Sequence, residues 1–144
     1  ITYKEWRHYM ATKLDSAFLC IKSSIPHLAK NDCGAIINIG ASSAHTGNPN
    51  RSVDVAAKMG LAGLTGALAV ELADQNITVN CVAPGRIQRP GAISAHFQAK
   101  PIPAGREGTP EEFAETVRFL CGPNSRYTTG QTLHVNGGWY VLIN

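Results

Sequence analysis

An acidic and a basic residue lie one helical turn apart near the middle of the chain. Asp54 and Lys58 are the ends of the segment Asp-Val-Ala-Ala-Lys, which opens a long apolar stretch. Side chains at positions i and i+4 share one face of a helix, so the carboxylate and the ammonium can meet. Such a pair can donate or accept a proton, or bind a substrate oxygen. It can equally be an ion pair on a solvated helix face, worth about 0.2–0.5 kcal/mol.

Other side chains capable of chemistry lie in a small-residue loop, a predicted strand and the first predicted helix. Ser42 and Ser43 follow a short apolar run, and Lys13 lies in the first helix. His45, in the same loop as the serines, is a candidate proton donor near pH 7, although an exposed loop histidine is the commoner interpretation. His134 alternates with apolar neighbours on a predicted strand, so we expect it to face the other side of the sheet.

Composition limits the classes of function. The chain has 144 residues, of which 44% are hydrophobic and 16% charged, with a net charge of +3. These values predict one globular domain over residues 1–144. The basic residues are scattered, which argues against nucleic acid as a partner. We expect no membrane span, because no uninterrupted apolar run approaches about 18 residues.

The cysteines argue against a disulfide framework and against a metal site. Cys20, Cys33, Cys81 and Cys121 are far apart and lack the paired spacing of metal ligands. Three of them lie in apolar stretches, which predicts reduced, buried thiols in a cytoplasmic protein. No bound metal is therefore expected.

Helices and strands alternate along the chain, which predicts an α/β fold. The pattern corresponds to part of a three-layer αβα Rossmann-type domain with about three parallel strands. Residues 86–108 show no clear periodicity. The second long helix contains three glycines, which predict close approach of another backbone: Gly60, Gly63 and Gly66. The predicted helices cover residues 3–30, 52–74 and 109–121, and the predicted strands cover 35–39, 77–83 and 131–135.

Several motifs in this order give the chain its family resemblance. They are Gly-Ala-Ile-Ile-Asn-Ile-Gly at 34–40, Asp-Val-Ala-Ala-Lys-Met-Gly-Leu at 54–61, Ile-Thr-Val-Asn-Cys-Val-Ala-Pro-Gly at 77–85 and Gly-Gln-Thr-Leu-His-Val-Asn-Gly-Gly at 130–138. Together they resemble the C-terminal half of the classical short-chain dehydrogenase/reductases, and the 3-oxoacyl reductase-like branch in particular. The resemblance implies a Rossmann-type fold and NAD- or NADP-linked chemistry on a small carbonyl or alcohol substrate.

The resemblance also assigns roles to individual positions. Lys58 matches the family's lysine, which binds the nicotinamide ribose and tunes the acid. Asp54 stands at the position of the family's proton-donating tyrosine, Ala41 at that of its serine and Lys13 at that of its asparagine. Ser42 and Ser43 come next and could replace the missing serine if the loop shifts, although a loop or helix-cap role is the commoner interpretation. The resemblance implies catalytic positions at Lys58, Asp54, Ser42 and Lys13, and cofactor contacts at Lys58, Gly40, Pro84, Gly85 and Ile87.

These replacements leave two functional hypotheses open. One is an oxidoreductase that is atypical and weak or inactive as this chain stands, because an ionised carboxylate cannot donate the proton that the tyrosine supplies. The other is a non-catalytic subunit that contributes contacts to a homodimer or homotetramer. The family's glycine-rich phosphate-binding turn has no counterpart in this sequence, so we expect the sequence to be one part of a longer chain or of a complemented assembly. A lysine that forms Schiff bases is a further hypothesis, but the sequence gives no evidence of the apolar pocket that would support it.

Overall fold

The computed structural model describes residues 1–89 and 101–141. A five-residue π-helical turn, Ala11–Asp15, joins the first two helices, and short 3-10 helices occur at Ala73–Gln75 and Pro123–Ser125. The strands are β1 (Gly34–Ile39), β2 (Ile77–Pro84) and β3 (Thr132–Val135). The helices are α1 (Tyr3–Met10), α2 (Ser16–Leu28), α3 (Ser42–Thr46), α4 (Ser52–Glu71) and α5 (Pro110–Cys121).

The three strands form one parallel sheet in the order β1-β2-β3. Gly34 pairs with Ile77 at the start of β1, and Cys81 pairs with Thr132 at the start of β3. The predicted α/β architecture, part of a Rossmann-type αβα domain, is confirmed. The parallel arrangement follows from the crossover helices, since a helix of this length returns the chain to the same end of the sheet.

The central strand is far better buried than the first. Every residue of β2 from Ile77 to Ala83 is buried, whereas burial alternates along β1 and Ile39 remains 42% exposed. Among the described residues β1 is therefore not buried on both faces, although its apolar run is typical of such a strand. β1 lies at the edge of this sheet, so one side of it has no neighbouring strand to exclude water.

One apolar core joins the long helices to the sheet. α2 and α4 lie over the face of the sheet that carries Ile77 and Val79, and partly buried leucines of α2 and α4 extend this layer. Removing these side chains from water is the main favourable term that holds the helices on the sheet. The core residues are Ile21, Ile36, Ala69, Leu72, Ile77 and Val79.

The helix termini follow the local sequence closely. Thr109 caps α5 by accepting a hydrogen bond from Glu112 N at 3.2 Å, and the Glu112 carboxylate accepts one from Thr109 N at 2.8 Å. Thr2 and Glu5 form the same reciprocal capping box at α1. Each box satisfies backbone donors that have no partner within the helix.

The first predicted helix is continuous but contains the π-helical turn. Its i→i+5 hydrogen bonds widen the helix locally, and apolar spacing cannot reveal such a change because the flanking turns keep the ordinary period. Pro26 lies in the last turn of α2, which ends at Leu28. The predicted loop that contains Ser42 and His45 also differs, because α3 forms a single helical segment within it.

The burial predicted for the cysteines in apolar stretches is wrong for Cys20 and Cys121. Only Cys81 is buried, whereas Cys20, Cys33 and Cys121 are exposed free thiols. The two exposed helical cysteines lie on faces that the described residues leave uncovered.

α4 is long and apolar enough to cross a membrane by length and composition. That is weak evidence, because the core helix of a soluble protein passes the same test.

Candidate functional site

The carboxyl ends of the three strands meet along one edge of the sheet. Gly40 N donates a hydrogen bond to Val82 O at 2.9 Å, which ties the residue after β1 to β2. Gly85 N donates to Val135 O at 2.9 Å, which ties the residue after β2 to β3. In open α/β sheets this edge is where ligands bind. The candidate site therefore lies where residues 40–46, 84–87 and 136–140 come together.

A cluster of three charged residues lies beside this edge. Lys13 Nζ lies 3.6 Å from Asp54 Oδ1, and Lys58 Nζ donates a hydrogen bond to Ile39 O at 2.6 Å. Burial lowers the pKa of Lys58, and the positive charge of Lys13 lowers it further, while Asp54 and Cys81 act in the opposite direction. The structure thus brings together Lys13, Asp54 and Lys58, which come from the π-helical turn and the first turns of α4.

Close packing between the two long helices places Lys13 in reach of Asp54. A Cβ atom at Gly60 would lie 3.0 Å from Leu14 Cδ2, so glycine at this position lets the first helix approach α4. Leu14 follows Lys13 directly, and Gly60 follows Lys58 by two residues. Of the three glycines predicted to allow close approach, only Gly60 does so among the described residues. An added Cβ at Gly63 or Gly66 meets no atom within 4 Å.

Ser42 is engaged in holding the loop in place. Its side chain is completely buried, its Oγ lies 3.0 Å from Ala83 O and 3.0 Å from His134 Nδ1, and Asn136 Nδ2 donates to it at 3.3 Å. The hydroxyl has one hydrogen. If it donates to Ala83 O, His134 must carry its proton on Nδ1. The geometry favours a loop anchor over a hydroxyl available to a substrate.

Three aromatic rings pack together next to Ser42. The ring centroids of His45 and His134 lie 4.7 Å apart, and those of His134 and Tyr140 also lie 4.7 Å apart. Burial lowers the pKa of His45 and of His134, and the charge of His45 lowers the pKa of His134 further. His45 is therefore neutral near pH 7, which argues against its predicted role as a proton donor at that pH.

The sequence did not reveal this grouping. Alternation along β3 indicated only which side of the strand His134 faces, and Tyr140 lies in a turn without periodicity. Asn136 was also missed as a site residue. Its side chain connects Ser42 to Tyr140 O, to which it donates at 2.8 Å. The Asn-Gly-Gly turn after a strand was the only available signal, and it suggested a turn alone.

The predicted cofactor positions lie at this edge, and packing accounts for their glycines. A Cβ at Gly40 would lie 2.7 Å from Cys81 Sγ, and one at Gly85 would lie 2.6 Å from Asn136 Cβ. Pro84 ends β2, and Ile87 forms an isolated parallel bridge with Gly108. Close packing thus requires glycine at 40 and 85 whether or not a cofactor binds. Residues 90–100 of the aperiodic stretch lie outside the described part of the chain.

No metal centre is assembled within residues 1–89 and 101–141. In these ranges no group of three or more histidine, cysteine, aspartate or glutamate side chains is placed to hold a metal ion. The pair His45 and His134 is a ring contact in which one nitrogen of His134 already bonds to Ser42.

The chain is similar to known proteins over nearly its whole length. Residues 1–140 match a sequence family described as enoyl-(acyl carrier protein) reductase. The chain is 39% identical over 144 residues to 3-oxoacyl-[acyl-carrier-protein] reductase FabG of Vibrio cholerae and 41% identical over 143 residues to that of Staphylococcus aureus. Each alignment covers 96% of this chain, but only 59% and 58% of the relatives.

Solved structures show the same partial coverage. The acetoin dehydrogenase YohF of Salmonella typhimurium superposes with a TM-score of 0.86 at 39% identity, covering 96% of this chain and 57% of that structure. The acetoin dehydrogenase of Enterobacter cloacae gives a TM-score of 0.85 at 36% identity, covering 96% and 57%. The chain therefore spans a little under three fifths of the length of these four proteins.

Proposed function

We propose that this chain, which belongs to the short-chain dehydrogenase/reductase family of oxidoreductases, is part of an enzyme that uses NAD(P) and acts on carbonyl or alcohol substrates. The residues of the chain itself are expected to give weak turnover or none. The observation that carries this proposal is the ion pair of Asp54 with Lys13. The motif resemblance puts Asp54 where the family has its acidic tyrosine. We further propose that the protein is cytoplasmic.

The chemistry of the two side chains explains the expected loss of turnover. Reduction of a carbonyl by hydride needs a group that gives a proton to the forming alkoxide. Aspartate titrates about six pH units below tyrosine in reference peptides. By its reference value an aspartate carboxyl is ionised at pH 7 and has no proton to give. It can accept a proton from an alcohol, so weak oxidation is more compatible with this site than reduction.

The residues present fit one end of a nicotinamide cofactor. When bound, NAD(P) supplies or accepts the hydride, and the family resemblance assigns the contact with its nicotinamide ribose to Lys58. Lys58 Nζ is bonded to Ile39 O at 2.6 Å, so one of its protons is already committed. Within the described residues no strand leads into a glycine-rich turn and a helix, which is what would hold the diphosphate. NADP and NAD are therefore expected to bind weakly to this chain.

A cofactor titration and a restoration experiment test the proposal together. Purified protein is titrated with NADH and NADPH by fluorescence, and turnover is followed with a 3-oxoacyl thioester and with acetoin, the substrates that the relatives' names indicate. The triple variant Lys13→Asn, Ala41→Ser, Asp54→Tyr should raise turnover by about 10²–10⁴-fold wherever cofactor binds, as a general acid typically does. The same variant with Asp54→Phe is the matched control. Robust turnover by the unmodified protein would contradict the proposal.

A second candidate function is a non-catalytic contribution to a homo-oligomer. An apolar groove of about 800 Å³ opens between the first helix and α4. The side chains of Phe18 and Leu19, which line it, are 46% and 58% exposed. Exposed apolar area of this kind marks protein contact surfaces. The groove is lined by Leu14, Asp15, Phe18, Leu19, Gly60, Gly63, Leu64 and Ala67.

Sedimentation analysis of two arginine variants tests this second function. Gly63→Arg adds a charged side chain where no atom lies within 4 Å, so the isolated chain should tolerate it while a partner helix would not. Val70→Arg is the control, because Val70 is 82% exposed on the same helix outside the groove. A dimer or tetramer that dissociates only with Gly63→Arg supports the assembly function. A monomer in all three proteins contradicts it.

A further inference from the structure

The side-chain amine of Lys58 is held by a hydrogen bond and lies near the charges of Lys13 and Asp54. Its Nζ donates to Ile39 O at 2.6 Å, and its side chain is only partly buried at the open edge of the sheet. An amine that donates one N–H in this way keeps its position in either protonation state. In the neutral state the lone pair points away from the carbonyl oxygen, so it remains free to react.

The neighbouring charges disfavour the ammonium form of Lys58. Lys13 and Lys58 are two cations beside one carboxylate, Asp54, which lies 3.6 Å from Lys13 Nζ. Burial removes part of the water that would stabilise a third charge. Both effects lower the pKa of Lys58, against the opposing influence of Asp54 and Cys81. A desolvated lysine beside another cation is an arrangement that activates an amine as a nucleophile.

We propose that Lys58 is a nucleophilic amine that captures small aldehydes and ketones as imines. The neutral Nζ attacks the carbonyl carbon, and one of its own protons passes to the carbonyl oxygen to give a carbinolamine. That oxygen takes a second proton from solvent and leaves as water, which forms the carbon–nitrogen double bond of a protonated imine that keeps one N–H. The step is a condensation without oxidation or reduction, so it needs neither a nicotinamide nor a metal. It does not depend on the oxidoreductase function proposed above.

Reductive trapping measures this reactivity site by site. The protein is incubated at pH 7 with propanal and cyanoborohydride, which converts an imine into a stable secondary amine, and peptide mass spectrometry locates the label. Lys22 and Lys30, which are exposed, serve as internal controls in the same digest. Lys58 should be labelled several-fold faster than either, and its advantage should shrink as the pH rises towards 10. Equal or slower labelling of Lys58 across this range would overturn the proposal.

Two variants separate chemical activation from simple accessibility. Lys13→Met removes the like charge, which raises the pKa of Lys58 and should slow its labelling at pH 7. Asp54→Asn removes the attractive charge and should speed it. Lys30→Met, away from the cluster, should change neither rate. Opposite changes in the first two variants support the proposal, while changes in the same direction, or none, overturn it.

Discussion

The ammonium of Lys13 and the carboxylate of Asp54 lie 3.6 Å apart and connect the π-helical turn to the first turn of α4. By motif resemblance these are the positions of the family's asparagine and tyrosine. On the replacements that we propose, a pair of opposite charges stands in place of an amide and a phenol. The pair is compatible with joint replacement of the two residues, since Lys13 without Asp54 would leave two ammonium groups near each other with no carboxylate to offset their repulsion.

The Lys13–Asp54 pair should contribute little to stability. Its two side chains are 35% and 26% exposed, so solvent screens the interaction. A double-mutant cycle with Lys13→Met and Asp54→Asn, followed by urea unfolding, should give a coupling free energy of about 0.2–1 kcal/mol that falls at high salt. A coupling well above this range would mean that the pair is a structural requirement and not a replaceable surface contact.

Loss of the Ser42 hydroxyl should destabilise the strand edge. Ser42→Ala removes a bond to Ala83 O and takes one hydrogen-bond partner from each of the partly buried side chains of His134 and Asn136. The expected loss in the free energy of unfolding is about 1–3 kcal/mol. Ser43→Ala, at the next residue, is the control and should change it by less than about 0.5 kcal/mol. Equal effects of the two variants would argue against the anchoring role of Ser42.

Stability should fall in mild acid because of the histidine pair. Burial lowers the pKa of His45 and His134 in the folded protein, so the folded state binds fewer protons than the unfolded state. Above about pH 6.5, the ordinary pKa of histidine, the rings are neutral and their burial does not reduce stability. As the pH falls below this value, the free energy of unfolding decreases.

Urea unfolding at pH 7.5 and pH 5 measures this loss. The double variant His45→Gln, His134→Gln should lose part of the acid sensitivity, whereas His8→Gln, an exposed control, should keep it. An unchanged pH dependence in the double variant would show that other groups cause the acid sensitivity.

Two glycines should respond to alanine in opposite ways. At Gly85 an added methyl group would lie 2.6 Å from Asn136 Cβ and 2.7 Å from Asn136 Cα, so Gly85→Ala must push β3 away and should cost about 1–3 kcal/mol. At Gly63 the methyl group meets nothing within 4 Å in the described residues, and α4 should gain up to about 1 kcal/mol. Thermal unfolding of both variants measures the contrast. Destabilisation by Gly63→Ala would show that a partner occupies the groove.

The sequence predicted most of the elements correctly because their signals are local. The capping box at Thr109 and the glycines that bound β1 and β3 place the element boundaries within a few residues. The π-helical turn and α3 were missed because neither changes the spacing of apolar residues. Burial was predicted less well. Cys20 and Cys121 lie in apolar segments, but nothing in a segment's own sequence says whether another element covers it.

The chain's order of apolar periods, turns and motifs determined the α/β class, the parallel sheet and the family, since each depends on residues close together in sequence. Only the tertiary structure decided that Lys13 meets Asp54, that His134 and Asn136 hold Ser42, and that Gly63 faces an open groove while Gly60 packs on Leu14. These contacts join segments far apart in the chain. Their distances depend on how helices and strands pack as bodies, and periodicity within one element carries no information about that packing.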